Sequence, residues 1–226
     1  LIEHPKISAV TLTGSRTAGR AVAAQAGKLL KKTLLELGGS DPYLILEDAD
    51  LDKTVETCVA SRLLNSGQSC IAAKRFVVVE KVRKPFEEML VDQMRSKKMG
   101  DPLDETVEIG PQARRDLRDD LHRQVARSIA KGARCLLGGE VPKGAGTFYP
   151  PTVLSQVAKG MPAYDEETFG PVAAVIPVKN EKQAIEVAND STFGLGAAIF
   201  TRDTDRGERI AAENLEAGNC FVNAFV

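Results

Sequence analysis

The chain has 226 residues, 43% of them hydrophobic, with 27% charged and a formal net charge of -1. That is enough for one large or two modest globular units, and it lacks the basic surplus that draws a protein to nucleic acid. The short basic pairs Lys97-Lys98 and Arg114-Arg115 are flanked by acids and read as solvated faces, and no apolar run approaches a membrane span, so neither nucleic acid nor membrane is expected as a partner. Cys58, Cys70, Cys135 and Cys220 are scattered without metal-ligand spacing or a disulfide framework, and the two histidines are His4 and His122. No metal site is expected, and the compartment reads as reducing and cytoplasmic.

In chain order, Ala9–Leu12 reads as a strand, Thr13-Gly14-Ser15 as a turn, Thr17–Leu29 as a helix and Thr33–Leu37 as a returning strand that ends on Gly38-Gly39. This alternation predicts an α/β architecture with parallel strands. Tyr43–Leu46 is a further strand, and Asp50 is placed to cap a helix over Leu51–Leu64. Phe76–Glu80 is a strand, and Pro85 is expected to open a helix that reaches Met99 and closes at Gly100. A loop over 101–112, an amphipathic helix over 113–131 and a strand over 134–137 follow, then a Gly- and Pro-rich surface excursion over 138–151. Strands over Val172–Pro177, Ala197–Phe200 and Asn219–Val222 alternate with helices over Glu181–Asn189 and Thr204–Glu213.

Four stretches carry chemistry. Asn65-Ser66-Gly67-Gln68-Ser69-Cys70 puts a cysteine behind small residues, with Gly67 free to turn; a thiolate reached through such a loop is a strong nucleophile. The plain alternative is a cysteine filling a buried corner. With histidine so scarce, a base for Cys70 is expected to be a carboxylate. Glu36 lies in an apolar strand beside a glycine pair; burial would raise its pKa and suit it to general-base work, whereas an edge position would leave it facing solvent. Gly14 and Ser15 sit where a strand meets a helix N-terminus, a ready anion site or simply a strand–helix turn. In Asp165-Glu166-Glu167-Thr168-Phe169-Gly170-Pro171, an acid is placed for a ribose hydroxyl pair and Phe169 for a flat ring, or the loop is solvated and Phe169 anchors the core.

Together, Thr13-Gly14-Ser15, Glu36-Leu37-Gly38-Gly39, Gly67-Gln68-Ser69-Cys70 and Glu167-Thr168-Phe169-Gly170-Pro171 resemble, in order, the motifs of the aldehyde dehydrogenase superfamily. The spacing also resembles the family's: 34 residues from Glu36 to Cys70 and 97 from Cys70 to Glu167. The strings Cys70-Ile71-Ala72-Ala73-Lys74-Arg75-Phe76 and Gly218-Asn219-Cys220-Phe221-Val222-Asn223 look most like the succinate-semialdehyde dehydrogenase branch. The resemblance implies an aldehyde dehydrogenase-like catalytic domain over 40–226, incomplete at its C-terminus, with a mostly parallel sheet flanked by helices. Residues 1–39 would be the last strands and helix of a Rossmann-type cofactor-binding domain.

The resemblance further implies oxidation of an aldehyde, succinic semialdehyde or a similar small semialdehyde, to its acid with reduction of NAD or NADP. Cys70 would attack the carbonyl, Glu36 would act as general base for thioester hydrolysis, and the Cys70 backbone N–H would serve the oxyanion hole. Gly14 and Ser15 would lie near the pyrophosphate, Leu37 and Gly38 near the nicotinamide, Glu167 on the nicotinamide ribose and Phe169 against that end of the cofactor. The full-length protein would be a homo-oligomer, dimer or tetramer. Some members of the branch carry an arginine six residues before the cysteine to hold the substrate carboxylate; here that position is Leu64, with Arg62 the arginine in this chain nearest to it in sequence. Two other readings stay open: a non-catalytic structural or oligomer-forming domain, and a cysteine esterase-type hydrolase.

Overall fold

The computed structural model describes residues 1–225, which divide into two compact units, the first Leu1–Gly39 and the second from Ser40 onward. In the first, strand β1 (Ala9–Thr13) pairs in parallel with β2 (Lys32–Glu36), and helix α1 (Arg16–Lys28) connects them. Ser15 caps the helix, its hydroxyl accepting from Ala18 N at 3.2 Å, and Leu30 turns the chain back at φ 55°. Gly19 packs on Leu37: a Cβ there would lie 2.6 Å from Leu37 Cδ2, so a larger residue would have to displace that side chain.

The second unit is built on a seven-stranded sheet. Its elements are β3 (Pro42–Ile45), α2 (Leu51–Leu63), β4 (Arg75–Val79), α3 (Glu80–Arg95), α4 (Arg115–Ala130), β5 (Arg134–Leu137), β6 (Thr152–Ser155), α5 (Pro162–Asp165), β7 (Val172–Val178), α6 (Glu181–Asn189), β8 (Gly196–Phe200), α7 (Thr204–Glu213) and β9 (Asn219–Val222). The strand order is β5-β6-β7-β4-β3-β8-β9, with every pair parallel except β5–β6. Apart from Arg75 at the start of β4, the central strands are apolar because both faces are covered. Along β4, Phe76 and Val78 face a core completed by Val55, Cys58 and Val59 of α2 and Phe86, Leu90 and Met94 of α3. Val77 and Val79 face the opposite core, completed by Leu121 and Val125 of α4, Ala184 and Ala188 of α6 and Ile210 of α7. No helix among the described residues is long and apolar enough to cross a membrane.

Pro85 does not open α3. The helix starts at Glu80, directly after the last strand residue Val79, and runs through the proline. Proline inside a helix removes the bond to the carbonyl four residues back and costs roughly 3 kcal/mol. That cost is offset by the apolar stripe Val82, Phe86, Leu90 and Met94, each fully buried side chain contributing about 1.5–3 kcal/mol. Arg83 adds ion pairs to Glu80 and Glu87, both at 2.8 Å, across the first turns. Asp50 caps α2 as its position suggests, accepting from Lys53 N at 3.5 Å.

Parallel pairing has one consequence for function: the N-terminal ends of β3, β4, β7 and β8 lie along one edge of the sheet. The Cys70 loop enters β4 there, the Gly170-Pro171 turn enters β7, and Asp41 stands just ahead of β3. Open α/β sheets ordinarily bind ligands at the opposite, carboxyl edge.

Candidate active site

Helix α2 ends at Leu63, and the chain then folds tightly over Leu64–Gly67. Asn65, Ser66 and Gly67 have φ of 50°, 56° and 77°, three consecutive residues in the left-handed region. Two of them carry side chains, and a strained conformation of this kind persists only where its surroundings enforce it. Here they do. Asn65 Nδ2 donates to Gln68 O at 3.0 Å, and Gln68 N returns a bond to Asn65 O at 3.1 Å. Ser66 Oγ accepts from Gly110 N at 2.9 Å, and the Gln68 amide bridges Pro111 O at 3.3 Å and Ala113 N at 2.7 Å. The loop over 101–112, polar and irregular in sequence, is thus a brace for the Cys70 loop.

Gly67 lies against Gly170. A Cβ on Gly67 would sit 2.3 Å from the Gly170 carbonyl carbon, so the glycine is required by both its φ and the approach of the other backbone. Two stretches about a hundred residues apart in sequence, 67 and 170, are therefore in contact. Glu167 lies 3.8 Å from Lys74 Nζ, and Phe169 is 41% exposed, which excludes it as a core anchor.

Three cations lie beneath this region, and nothing in the sequence marks them as buried. Arg62 is fully buried and donates to Gly67 O at 2.8 Å and Val172 O at 3.4 Å, joining the two loops. It is therefore not free to hold a substrate carboxylate, and burial pulls its pKa down to about 9. Lys74 donates to Ser69 O, Cys70 O and Ala72 O at 3.0, 2.9 and 3.0 Å. Arg75 donates to Ser40 O, Val187 O and Ala188 O, each at 2.9 Å. Burial pushes Asp41 up to about 6 against the attraction of Lys74. Its Oδ1 accepts from Gly196 N at 3.2 Å while Oδ2 has no partner. Ser40 Oγ, Arg62 Nε, Gln112 Oε1 and Thr168 Oγ1 are likewise buried without a hydrogen bond, all on segments adjoining this loop. Such groups are rare in native interiors, and their concentration at one place marks a site.

Cys70 itself is partly exposed. Cys58 is buried in the core and burial raises its pKa well above the ordinary thiol range; desolvation also raises Cys135 and Cys220. In the first unit, Glu36 ends β2 in an exposed position, with its carbonyl accepting from Gly14 N at 3.0 Å, so within this chain it is the solvent-facing glutamate rather than the buried one. Gly14 and Ser15 precede a 13-residue helix with no acid in its first turn, so no carboxylate there offsets the positive end of the helix dipole, although Ser15 already caps Ala18 N and Gly14 N is taken by Glu36 O. Leu37 and Gly38 are half-buried.

A partly exposed thiol thus stands on an enforced loop, packed against an acidic loop at the N-terminal edge of an α/β sheet. The chain belongs to the aldehyde dehydrogenase family: the model described as "Aldehyde dehydrogenase family" matches residues 1–226. It is 52% identical over 225 residues to the succinate semialdehyde dehydrogenase (NAD(P)+) Sad of Escherichia coli (strain K12), an alignment covering 100% of this chain and 48% of that protein. It is 45% identical to the succinate-semialdehyde dehydrogenase (NADP(+)) of Mycobacterium avium (strain 104), over 99% of this chain and 47% of the relative. The crystal structure of succinic semialdehyde dehydrogenase from Streptococcus pyogenes with NADP+ superposes with a TM-score of 0.96 at 39% identity, covering 100% of this chain and 49% of that one. The chain spans about half the length of the relatives it matches.

Proposed function

We propose that the protein carrying these residues oxidises an aldehyde, succinic semialdehyde or a similar small semialdehyde, to its carboxylic acid with reduction of NAD or NADP. The observation that carries this reading is the apposition of Gly67 and Gly170, which joins the cysteine loop to the loop bearing Glu167 and Phe169. Cys70 is the nucleophile. Its sulfur adds to the aldehyde carbonyl to give a thiohemiacetal, whose oxyanion the Cys70 backbone N–H helps to hold. A bound nicotinamide would supply the acceptor for the hydride that leaves this carbon. Cys70 then carries a thioester. Glu36 takes a proton from water as it attacks that thioester, releasing the acid and restoring the thiol.

The chain's own residues fit a nicotinamide dinucleotide. Gly14 and Ser15 stand at a helix N-terminus whose dipole suits a pyrophosphate, and the half-buried Leu37 and Gly38 offer an apolar edge to the nicotinamide. The Glu167 carboxylate suits a pair of ribose hydroxyls, and exposed Phe169 suits a flat ring. In this reading 1–39 is the end of a cofactor-binding domain and 40–226 a catalytic domain. The full-length protein is a cytoplasmic homo-oligomer, dimer or tetramer.

The test is reduction of NAD and of NADP by the full-length protein with succinic semialdehyde and with other aldehydes, beside Cys70→Ala and Glu36→Gln. Cys70→Ala is expected to lose turnover. Glu36→Gln is expected to give one rapid round of cofactor reduction and then turn over about 100-fold more slowly, because the thioester persists. Wild-type turnover in Cys70→Ala removes the cysteine from this role, and activity only on unrelated aldehydes keeps the reaction and discards the substrate.

A further inference from the structure

Lys74 lies four residues beyond the cysteine, is 1% exposed and points its ammonium back under the loop it follows. All three of its donors are used on backbone carbonyls, those of Ser69, Cys70 and Ala72. An ammonium has three N–H bonds and no acceptor, whereas the neutral amine keeps a lone pair that would face a carbonyl oxygen. The three-point clamp therefore requires the charged form. Its fourth neighbour is Glu167 at 3.8 Å, on the other loop. We propose that Lys74 is a positioning residue: its ammonium fixes the backbone on both sides of the Cys70 sulfur and ties that geometry to the Glu167 carboxylate, so that the two loops act as one. The assignment rests on Cys70 being the nucleophile.

Four charged or titratable groups face Lys74 besides the carbonyls. Arg62 of α2 repels it, and Glu167 before β7, Asp41 ahead of β3 and Cys70 itself attract it. Burial is the largest influence and brings Lys74 down to about 8, with Glu167 and Asp41 opposing that fall. Above that pH the clamp loses one of its three bonds. Removing the Glu167 charge takes away an attraction that holds the proton on, so the clamp then opens at lower pH.

The experiment is alkylation of the full-length protein by iodoacetamide across a pH series, read cysteine by cysteine by mass, for wild type, Lys74→Met and Glu167→Gln. Lys74→Met is expected to slow Cys70 by about 10- to 100-fold, the scale of a misplaced reacting group, while Cys135 and Cys220 keep their rates. Wild type is expected to show a downward break in the Cys70 profile near pH 8, above which its rate falls instead of rising with pH as an ordinary thiol's does; Lys74→Met is expected to lack that fall, and Glu167→Gln to move the break to lower pH. An unchanged Cys70 rate in Lys74→Met overturns the proposal. Should Lys74→Met unfold, shown by all four cysteines reacting fast, Glu167→Gln decides: a moved break upholds the proposal and an unmoved one overturns it. Alkylation needs neither cofactor nor aldehyde. A protein that reduces no cofactor but shows these shifts keeps the Lys74 role and loses the dehydrogenase reading; one that turns over with unmoved alkylation does the reverse.

Discussion

The cations under the Cys70 loop and those on the outer helices are alike in type and opposite in use. Arg62, Lys74 and Arg75 are at most 1% exposed and spend their donors on backbone carbonyls, eight bonds in all. The outer ones reach carboxylates a few residues away along the same helix, as Lys84 does Glu88 at 4.0 Å and Arg95 does Asp92 at 2.9 Å. A solvated pair gains little, because water competes and long side chains must be held still. A buried cation satisfying carbonyls is different: once removed, it leaves several acceptors with neither protein nor water. The difference teaches that charge here is used to shape backbone at one edge of the sheet, and to keep the surface soluble elsewhere.

The comparison breaks most readily at Arg75. Its three carbonyl bonds and its position 5.8 Å above the Tyr164 ring make Arg75→Met the most damaging of these changes. A loss on the order of 3–5 kcal/mol is expected by denaturant titration, the range for stripping a buried charged group from its partners. A loss below about 1 kcal/mol would mean that the carbonyls find other donors.

Asp41 sharpens the comparison through pH. Its carboxyl rises from the ordinary 3.8 to about 6, chiefly through burial. Between those values the folded protein holds a proton that the unfolded chain has released, so this group makes stability fall as pH rises through the window. Asp41→Asn is expected to flatten that slope between about pH 4 and 6, measured by denaturation at fixed pH. An unchanged slope would assign the titration to another group. The smallest effect belongs to Lys84→Ala, whose side chain is 83% exposed; its melting temperature is expected to match wild type within error.

Much of this was legible because it is local. Strand–turn–helix alternation, the Asp50 cap and the apolar strands follow from side-chain period and capping chemistry, which act over a few residues. The Cys70 stretch stood out because Gly67 and small neighbours precede a thiol, and Gly170 because it precedes a buried strand. Pro85 misled because the rule for proline is local, while the packing of Phe86, Leu90 and Met94 that carries the helix through it is not. At Glu36 the sequence left burial and a solvent-facing edge both open, and β2 leaves it exposed.

The α/β class, the order of most elements and the four stretches on which the chemistry is placed were readable from the residues alone, though β6 and α5 were not. They were readable because periodicity and turn residues are written in neighbouring positions. Only the tertiary structure decided that Gly67 meets Gly170, that Arg62 joins their two loops, and that Lys74 and Arg75 disappear inside to hold carbonyls. A lysine or arginine looks the same in sequence whether it faces water or backbone; parallel pairing, by gathering the strand N-termini at one edge, is what left these carbonyls to be satisfied there.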